Sequence, residues 1–563
     1  MLRPAVCSLL ALSLTSACAS TPSDAKTGSG GSSNGDGGSA GAAVGGAGGT
    51  ASGTGGSAPP STTPVVFTVD STANAHAISP YIYGSNGGDF TQEAKGLTLA
   101  RVGGNRLTAY NWETNASNAG SDWQYSSDNY MSKSTTAGAA MKDATDKATS
   151  AGASIILTVP IAGWVAADEK GACPSSPTPA EIAQRFFPIL PSKGSAFAYP
   201  PDLTDSKVYA DEFVAYMESK YPTAQTDPAR RIFYMLDNEP DLWAETHGEI
   251  HPDKVTYAEV AQKGTDFATG IKAVAPNAVV MGPVNYGWGG MVNLQKAPDG
   301  NGRDFLEFYL DSMKSAEASA GKRLLDVLDV HWYPEATGDG MRITDEGTSA
   351  GEVEARLQAP RSLWDTGYKE TSWITQSSTN GPIYLIPRLQ AKIDQHYPGT
   401  KLSISEYNYG GAGDISGGIA EADVLGVFGR ESLFAATMWP MVSSSPFIYA
   451  GFAMYRNYDG NLGAFGDTSI SAATSAVDLT SVYASVSSKD PTAVVMVAIN
   501  KQAAAQLVTI NLTHASSLTR ADVYTLTSAA SSPQKGDSIA AVGANAFSYN
   551  MPARSVTTLV FRP

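Results

Sequence analysis

Cysteine is scarce in this chain of 563 residues, which contains three. Cys7 and Cys18 lie in the N-terminal segment, so Cys173 is the only thiol in the body of the protein. One thiol cannot form an internal disulfide bond, and we therefore expect the fold to depend on a hydrophobic core, which a chain of this length can supply. The six histidines are scattered without metal-ligand spacing, so the sequence contains no motif for a transition metal.

Positive charge is also in short supply. The chain has 38 Lys and Arg against 54 Asp and Glu, a formal net charge of −16, and no run of basic residues. Two bases and two acids cancel within residues 1–63, so the acidic excess belongs to residues 64–563. Because phosphate binding needs clustered Lys and Arg, the sequence argues against a nucleic-acid partner and favours a neutral one.

No apolar run is long enough to span a bilayer permanently. Residues 1–18 contain one Arg, a short apolar run at 9–14 and then small residues, a pattern typical of an export signal. The sequence Thr-Ser-Ala-Cys at 15–18 resembles a bacterial lipoprotein cleavage box, with Cys18 as the lipidated residue, although Leu14 stands one place early. Cleavage without lipidation is the alternative. We expect an exported protein, either a cell-surface lipoprotein or a secreted one.

Residues 19–63 are dominated by Gly, Ser, Ala and Thr, and such a segment buries too little apolar surface to fold. We interpret it as a disordered tether. The remaining organisation is predicted as an N-terminal strand at 64–80 that joins a C-terminal domain, a catalytic barrel at 81–450, and a β-sandwich at 451–563.

Short β-rich apolar runs alternate with helix-compatible stretches through the first and larger part of the body. The runs predict eight strands, at 82–84, 99–102, 154–159, 231–236, 278–281, 325–330, 402–405 and 435–438. Helices are predicted between most of them, at 136–150, 206–220, 256–274, 303–314, 388–396 and 420–434. Eight strand–helix units predict an α/β fold, a closed (β/α)8 TIM-like barrel whose active site lies at the carboxyl ends of the strands. Long loops at 165–205 and 335–385 would wall a cleft.

The tail has a different pattern. Short strands at 493–499, 507–512, 523–525 and 556–561 are separated by Asn, Ser, Gly and Pro, without a long helix between them. This pattern predicts a C-terminal antiparallel β-sandwich. The run at 65–69 has no helix after it and is expected to join that sandwich.

Two glutamates follow predicted strands. Glu239 follows the fourth strand within Asp-Asn-Glu-Pro, and Glu406 follows the seventh. Cleavage of a glycosidic bond needs one carboxyl group that donates a proton and another that attacks the anomeric carbon or activates water. The pair therefore predicts glycoside hydrolysis, and Asn238 is placed to bind the sugar 2-hydroxyl. Glu113, Glu245 and Glu335 lie farther beyond strand ends and are interpreted as loop residues.

The nine tryptophans all lie in the barrel portion, and sugar rings stack on indole. Four of them directly follow predicted strands and are expected to bind substrate in the cleft: Trp164, Trp288, Trp332 and Trp439. Trp112 is included as a further candidate for substrate binding, although the pattern around Trp112, Trp123 and Trp243 does not separate the cleft from the core.

Three more polar residues follow strands and are candidates for the same site. His331 is expected to hydrogen-bond in the sugar site or to tune Glu406, and Tyr333 could donate a hydrogen bond to the nucleophile. Arg101, at the end of the second strand, could keep Glu406 ionised, because a nearby cation lowers the pKa of a carboxyl group. A purely structural ion pair is the alternative for Arg101.

Several longer motifs resemble glycoside hydrolase family 44. They are Gly-Gly-Asn-Arg at 103–106 with Tyr-Asn-Trp-Glu-Thr-Asn at 110–115, Asp-Asn-Glu-Pro at 237–240 with Trp243, Thr-His at 246–247 and His-Pro at 251–252, and Ser-Glu-Tyr-Asn-Tyr at 405–409. The resemblance extends from about residue 65 to the C-terminus. It implies endo-acting, retaining cleavage of β-1,4-glucans such as plant cell-wall xyloglucan or cellulose-like chains, with Glu239 as acid/base and Glu406 as nucleophile.

The resemblance also implies a barrel with a β-sandwich, no cofactor for catalysis, and a possible structural calcium ion whose ligands the sequence does not identify. We expect a monomer. Two other functions stay open from the sequence alone: a non-catalytic glycan-binding protein at the cell surface, and an exo-acting glycosidase of the same clan. The sequence does not rank xyloglucan, cellulose, mannan and xylan as substrates.

Overall fold

The computed structural model describes residues 64–87, 90 and 94–563. The predicted export signal, Cys18 and the tether lie outside the described residues. Within the described part, no helix is both long enough and apolar enough to cross a membrane.

Eight parallel strands close into a barrel, which confirms the predicted fold class. Each strand pairs with its neighbour in the chain, and the eighth pairs with the first through Thr437 and Gly84. The strands are Gly84–Asn86, Leu99–Val102, Ser154–Val159, Ile232–Leu236, Val279–Asn285, Val327–Trp332, Lys401–Tyr407 and Ala435–Met438. The first begins two residues later than predicted, because Pro80 starts a 3-10 turn over Pro80–Ile82 that the Ser79 side chain caps.

From the second strand onward, each barrel strand is followed by at least one helix, and these helices cover the outside of the barrel. The long ones are Ala139–Ser150, Ala210–Lys220, Tyr257–Val274, Phe305–Ala320, Leu385–His396, Ile415–Arg430 and Pro446–Arg456. Shorter helices are Pro179–Arg185, Trp243–Thr246, Trp288–Asn293 and Ala350–Gln358. Leu99, Ile156, Phe233, Met281 and Val327 come from successive barrel strands and meet in one cluster inside the ring. Since both faces of these strands are buried, the barrel interior is a packed core.

The long loops at the barrel mouth carry small sheets. Trp164–Ala166 pairs with Phe186–Leu190, which also pairs with Val208–Tyr209. A second small sheet joins Ser117–Asn118, Ser126–Asp128 and Gly171–Ala172. In the loop after the sixth strand, Thr337–Gly338 and Met341–Arg342 form a hairpin. The predicted loops at 165–205 and 335–385 are therefore partly ordered walls of the mouth.

The C-terminal region is an eleven-stranded, mainly antiparallel sheet. Its strands are Val65–Asp70, His76–Ala77, Thr468–Thr474, Thr480–Ser487, Asp490–Asn500, Gln506–Thr513, Arg520–Thr527, Ala530–Lys535, Ile539–Ala540, Ala546–Met551 and Ser555–Arg562. The rings of Phe547 and Phe561 are 4.8 Å apart although their strands lie far apart in the strand order. The sheet therefore folds over a single core as a sandwich. Val65–Asp70 pairs antiparallel with Thr468–Thr474 and parallel with Gln506–Thr513.

The two domains share a buried polar contact. Lys501 of the sandwich lies 2.8 Å from Asp423 on the barrel helix Ile415–Arg430, and both side chains are buried. The Tyr483 hydroxyl donates to the same carboxylate at 2.7 Å. The helix Pro446–Arg456 continues through the boundary expected at 450, so the connection between the domains lies after this helix and before Thr468.

Candidate active site

The fourth and seventh strands bring Glu239 and Glu406 together at the carboxyl end of the barrel. One oxygen of Glu239, one oxygen of Glu406 and a ring nitrogen of His331 lie within 4.8 Å of one another. Among the residues that the structure describes, this is the only such group of three acidic, His or Cys side chains. Arg101 contacts Glu406 there, and a neighbouring guanidinium disfavours a metal cation at the same carboxylate.

Glu239 sits in a fixed turn. Its φ of 46° and ψ of 59° are left-handed, a conformation that costs free energy for a residue with a side chain. Its backbone N–H donates to the Val284 carbonyl at 3.0 Å. Before it, Asp237 accepts hydrogen bonds from Thr108 Oγ1 at 2.7 Å and Trp243 Nε1 at 3.2 Å. These bonds hold the turn and aim the Glu239 carboxyl group at the barrel mouth.

The environment of Glu239 favours its protonated form. Its side chain is 15% exposed, and burial raises the pKa of Glu239 to about 8, although Arg101 opposes the shift. His331 Nδ1 lies 2.8 Å from Glu239 Oε1. Burial lowers the pKa of His331 to about 3, so the imidazole is neutral and contributes no positive charge. A carboxyl group that holds its proton near neutral pH can act as a general acid.

Glu406 has the opposite surroundings. Arg101 is fully buried, and its guanidinium donates to Glu406 Oε1 at 2.6 Å, while the Tyr333 hydroxyl donates to Oε2 at 2.7 Å. Arg101 and Glu406 therefore form a buried ion pair, and the tyrosine hydroxyl fixes the second carboxylate oxygen. Residue 103 must be glycine for this arrangement, because a Cβ on Gly103 would lie 2.2 Å from Arg101 Cζ. Glu239 is thus placed to donate a proton, and Glu406 is the anion of a buried ion pair.

The Arg101 guanidinium also hydrogen-bonds two asparagine side chains beside the glutamate pair. It donates to Asn86 Oδ1 at 2.9 Å and to Asn238 Oδ1 at 2.7 Å. The same Asn238 oxygen accepts the Gly104 N–H at 3.2 Å, so the side-chain orientation of Asn238 is fixed with its amide nitrogen on the other side. Asn86, at the end of the first strand, was not identified from the sequence, although its position after a strand offered the same signal as the others.

Aromatic side chains lie on both sides of the glutamate pair. In the closed ring, strands five and six lie between strands four and seven on one side, and strands eight, one, two and three on the other. A small pocket on the first side is lined by Tyr286, Trp288, Trp332, Tyr333 and Trp373. On the other side, Trp439 follows the eighth strand and Trp164 the third, both partly exposed.

Trp373 is 48% exposed, and sequence reasoning did not select it, because it lies about forty residues beyond its strand in a long loop. Trp288 is held in place by a hydrogen bond from its Nε1 to Ser378 Oγ at 2.8 Å. The loop after the sixth strand thus supplies both an exposed ring and the residue that fixes a second ring.

Trp112 corrects one expectation. Its side chain is 2% exposed and packs against Phe213 and Tyr216 of the helix Ala210–Lys220, with ring centroids 5.9 and 5.5 Å away. Trp112 is therefore a core residue beneath the mouth and does not line the cleft, because the helix after the third strand covers it.

The other carboxylates are not at the pair. Glu335 forms an ion pair with Arg342 at 2.9 Å, and Glu245 is half exposed beside Lys254. Glu113 is buried near Glu212, away from the cleft residues named above. Glu113 and Glu335 are loop residues as interpreted from the sequence, whereas Glu245 lies in the short helix Trp243–Thr246.

The chain is similar to known proteins along most of its length. The model of the family described as "Glycoside hydrolase family 44" matches residues 116–336. Endoglucanase A of Paenibacillus lautus is 40% identical over 519 residues, which is 88% of this chain and 72% of that protein. A β-mannanase/endoglucanase A of Caldicellulosiruptor saccharolyticus is 41% identical over 87% of this chain and 38% of the relative. A solved structure of a Paenibacillus polymyxa xyloglucanase from the same family, with xyloglucan, is 40% identical at a TM-score of 0.84 and covers 89% of this chain and 99% of that one.

Proposed function

Since this chain belongs to glycoside hydrolase family 44 and is a glycoside hydrolase, we propose that it cleaves β-1,4-glucan backbones, xyloglucan or cellulose-like chains, from within and with retention of configuration. The observation that carries the proposal is the spacing of the carboxyl groups. One oxygen of Glu239 and one oxygen of Glu406 lie within 4.8 Å of each other, which fits carboxyl groups roughly 5–5.5 Å apart, as in retaining enzymes, better than the roughly 6.5–9.5 Å separation of inverting ones.

The first step forms a glycosyl-enzyme. A Glu406 oxygen attacks the anomeric carbon and forms a C–O bond, while the bond from that carbon to the leaving sugar oxygen breaks. The Glu239 proton passes to the leaving oxygen, and Glu239 becomes a carboxylate. In the second step Glu239 takes a proton from water, the water oxygen bonds to the anomeric carbon, and the bond to Glu406 breaks. Two displacements restore the β configuration, and neither step uses a cofactor.

Neighbouring side chains have separate roles in this mechanism. Arg101 and Tyr333 hold Glu406 anionic and aligned before attack. His331, neutral, holds the Glu239 carboxyl group at 2.8 Å without removing its proton. Asn238 offers its amide nitrogen to the sugar 2-hydroxyl, because both of its short contacts are accepted by the amide oxygen.

Internal cleavage is supported by the aromatic residues on both sides of the pair. An endo-acting enzyme must bind sugars before and after the scissile bond, and rings on both sides of Glu239 and Glu406 can stack on such sugars. We propose that Trp288 and Trp373 bind on one side and that Trp164 and Trp439 bind on the other, while Trp332, expected in the cleft, is 1% exposed and supports the first side from beneath. An exo-acting enzyme would need one side closed.

Azide rescue tests the two carboxyl roles separately. Glu239→Ala with azide should give a β-glycosyl azide, because azide intercepts the glycosyl-enzyme, whereas Glu406→Ala with azide should give the α-azide by a single displacement. Glu245→Gln, at a half-exposed carboxylate in the short helix Trp243–Thr246, is the matched control and should keep wild-type turnover. Exchange of the two azide anomers would reverse the roles, and full activity of either alanine variant would refute the site.

Substrate and mode of cleavage need a polymer assay. With xyloglucan, plain cellulose derivative, mannan and xylan compared at equal mass, we expect the two glucans to be cut fastest. Viscosity should fall well before monosaccharide appears. Early release of monosaccharide would indicate the exo-acting alternative.

We also propose a structural calcium ion at the Glu212 carboxylate, close to Glu113 and Asp205. Glu212 is fully buried; its Oε1 accepts a hydrogen bond from Lys193 Nζ at 2.7 Å, and its Oε2 has no hydrogen-bond partner among the described residues. Burial, with the charges of Glu212 and Asp205 nearby, raises the pKa of Glu113 to about 8. Carboxylate oxygens suit calcium, which takes six to eight oxygen ligands. Calcium should raise the melting temperature of the wild type over EDTA, but not that of Glu212→Gln; equal melting temperatures with and without calcium would refute the site.

For location, we propose export with a lipid anchor at Cys18 and a monomeric body. Cys18→Ala should move the protein from the membrane fraction to the medium. Retention of the variant in the membrane fraction would count against lipidation.

A further inference from the structure

Asp241 lies two residues after Glu239 and is buried against the loop that follows the fifth strand. Its Oδ1 accepts the Tyr286 backbone N–H at 3.1 Å and the Asn285 side-chain amide at 3.4 Å. The sequence pattern did not single it out, because an Asp after Asn-Glu-Pro has the appearance of an ordinary turn residue.

The turn that carries Glu239 is hydrogen-bonded to the fifth-strand segment at two points, one at Glu239 and one at Asp241. Glu239 N–H donates to the Val284 carbonyl at 3.0 Å, and Asp241 accepts from Tyr286 two residues farther along both segments. Glu239 itself caps the short turn Pro240–Leu242 without a side-chain cap bond. The left-handed turn is therefore attached to the end of the fifth strand through Glu239 and to the loop after that strand through Asp241, in addition to the hydrogen bonds of Asp237.

The second carboxyl oxygen of Asp241 packs against the helix Trp288–Asn293. Asp241 Oδ2 is buried and has no hydrogen-bond partner among the described residues. It faces Gly290 in the helix Trp288–Asn293, where a Cβ would lie 2.0 Å from this oxygen. The helix that begins with the pocket residue Trp288 thus packs directly on the Asp241 carboxyl group.

We propose that Asp241 is a positioning residue for proton transfer, which fixes the Glu239 turn to the fifth-strand loop and keeps the acid/base carboxyl group on the glycosidic oxygen. The inference rests on the proposed role of Glu239. Asp241 touches neither the reacting atoms nor Glu406 in any contact of the structure, so its effect is confined to steps in which Glu239 moves a proton.

The leaving group separates this role from a general structural one. A 2,4-dinitrophenolate leaves without a proton, whereas a sugar alkoxide needs one. We would measure kcat/KM, which reports the first displacement, on xyloglucan and on 2,4-dinitrophenyl β-cellobioside. For Asp241→Ala we expect a loss of about 10- to 100-fold on xyloglucan and less than about 3-fold on the aryl glycoside.

Two further variants test the proposal without truncating the Asp241 side chain. Gly290→Ala keeps the carboxyl group but pushes on it, and should reproduce the loss confined to xyloglucan. Asp241→Asn keeps an oxygen acceptor for Tyr286 N–H and should restore most of the activity. Gly429→Ala is the matched control, because a Cβ there meets only ordinary contacts at 3.7 Å or more on the helix Ile415–Arg430.

Equal losses on both substrates, no loss, or an Asn variant as poor as the Ala variant would overturn the proposal. If melting curves show that Asp241→Ala does not fold, Gly290→Ala decides. Glu239→Ala is measured alongside as a reference. If only Glu239→Ala loses more activity on xyloglucan than on the aryl glycoside, and Asp241→Ala and Gly290→Ala do not, the role of Asp241 is refuted while the role of Glu239 stands. Equal losses for Glu239→Ala on both substrates would instead refute the acid/base assignment.

Discussion

Replacing Glu239 by Gln should stabilise the protein while removing its activity. The native carboxyl group has a pKa of about 8, against an ordinary value of 4.5. Between those pH values the unfolded chain ionises and the native state keeps its proton, so the native state binds more protons and stability falls as pH rises. Glutamine has no proton to lose. At about 1.4 kcal/mol per pH unit, the variant gains about 2 kcal/mol over the wild type at pH 6 and about 4 kcal/mol at pH 8.

Unfolding of both proteins in urea at pH 5, 6, 7 and 8 checks this prediction. All other titrating groups are common to both chains, so the difference between them reports Glu239 together with its charge coupling to the neighbouring Asp241. It should widen up to about pH 8 and then level off. Glu406→Gln is the contrasting variant: it leaves the buried Arg101 without its anion and should cost about 3–5 kcal/mol. A Glu239→Gln difference that does not change with pH would refute the argument that burial holds the proton.

Three other outcomes are expected. On xyloglucan, kcat/KM should fall about tenfold per pH unit above about pH 8, as Glu239 loses the proton it must donate, and a plateau through pH 10 would contradict this. Lys501→Met leaves Asp423 buried and unpaired between the domains and should cost about 3–5 kcal/mol in urea unfolding. Trp373→Ala should raise KM for glucan with little change in melting temperature, whereas Trp112→Ala should lower stability by about 3–5 kcal/mol.

Most barrel strands could be predicted closely because they are buried on both faces and are rich in apolar and β-branched residues. The exception is the first strand, which is short and polar at its end, so that Ile82 and Tyr83 gave a stronger signal than Gly84–Asn86. Its true position follows from Pro80 and the Ser79 cap, a local interaction that periodicity does not detect.

The glutamate pair could also be predicted, because barrel topology brings all carboxyl strand ends to one face whatever the loops do. The sequence also indicated Arg101 and Tyr333 as partners of Glu406, and both contact it. It did not identify the partner of Glu239: His331, expected either to hydrogen-bond in the sugar site or to tune Glu406, lies 2.8 Å from Glu239 and 3.5 Å from Glu406. Which of the two glutamates His331 contacts depends on the left-handed turn at Glu239, and that turn is set by contacts with the fifth strand.

Loop residues were the least predictable. Trp112 is covered by a helix about one hundred residues farther along the chain, and nothing near Trp112 in the sequence signals that packing. Trp373 reaches the cleft from the middle of a long loop. Proximity to a strand end therefore identified the catalytic glutamates and the tryptophans directly after strands, but not a cleft residue such as Trp373 that lies far from its strand.

The pairing of Val65–Asp70 with Gln506–Thr513 has a consequence for folding. Val66 and Thr509 are register partners separated by more than four hundred residues, and the whole barrel lies between them. Closing so long a connection by chance is entropically costly, but a folded barrel shortens it by bringing both segments to the same side. We therefore expect the barrel to form first during synthesis and the sandwich to close last, with the early strand waiting unpaired for most of translation. Until then that strand is an open edge, the point at which this chain would be most prone to misassociation.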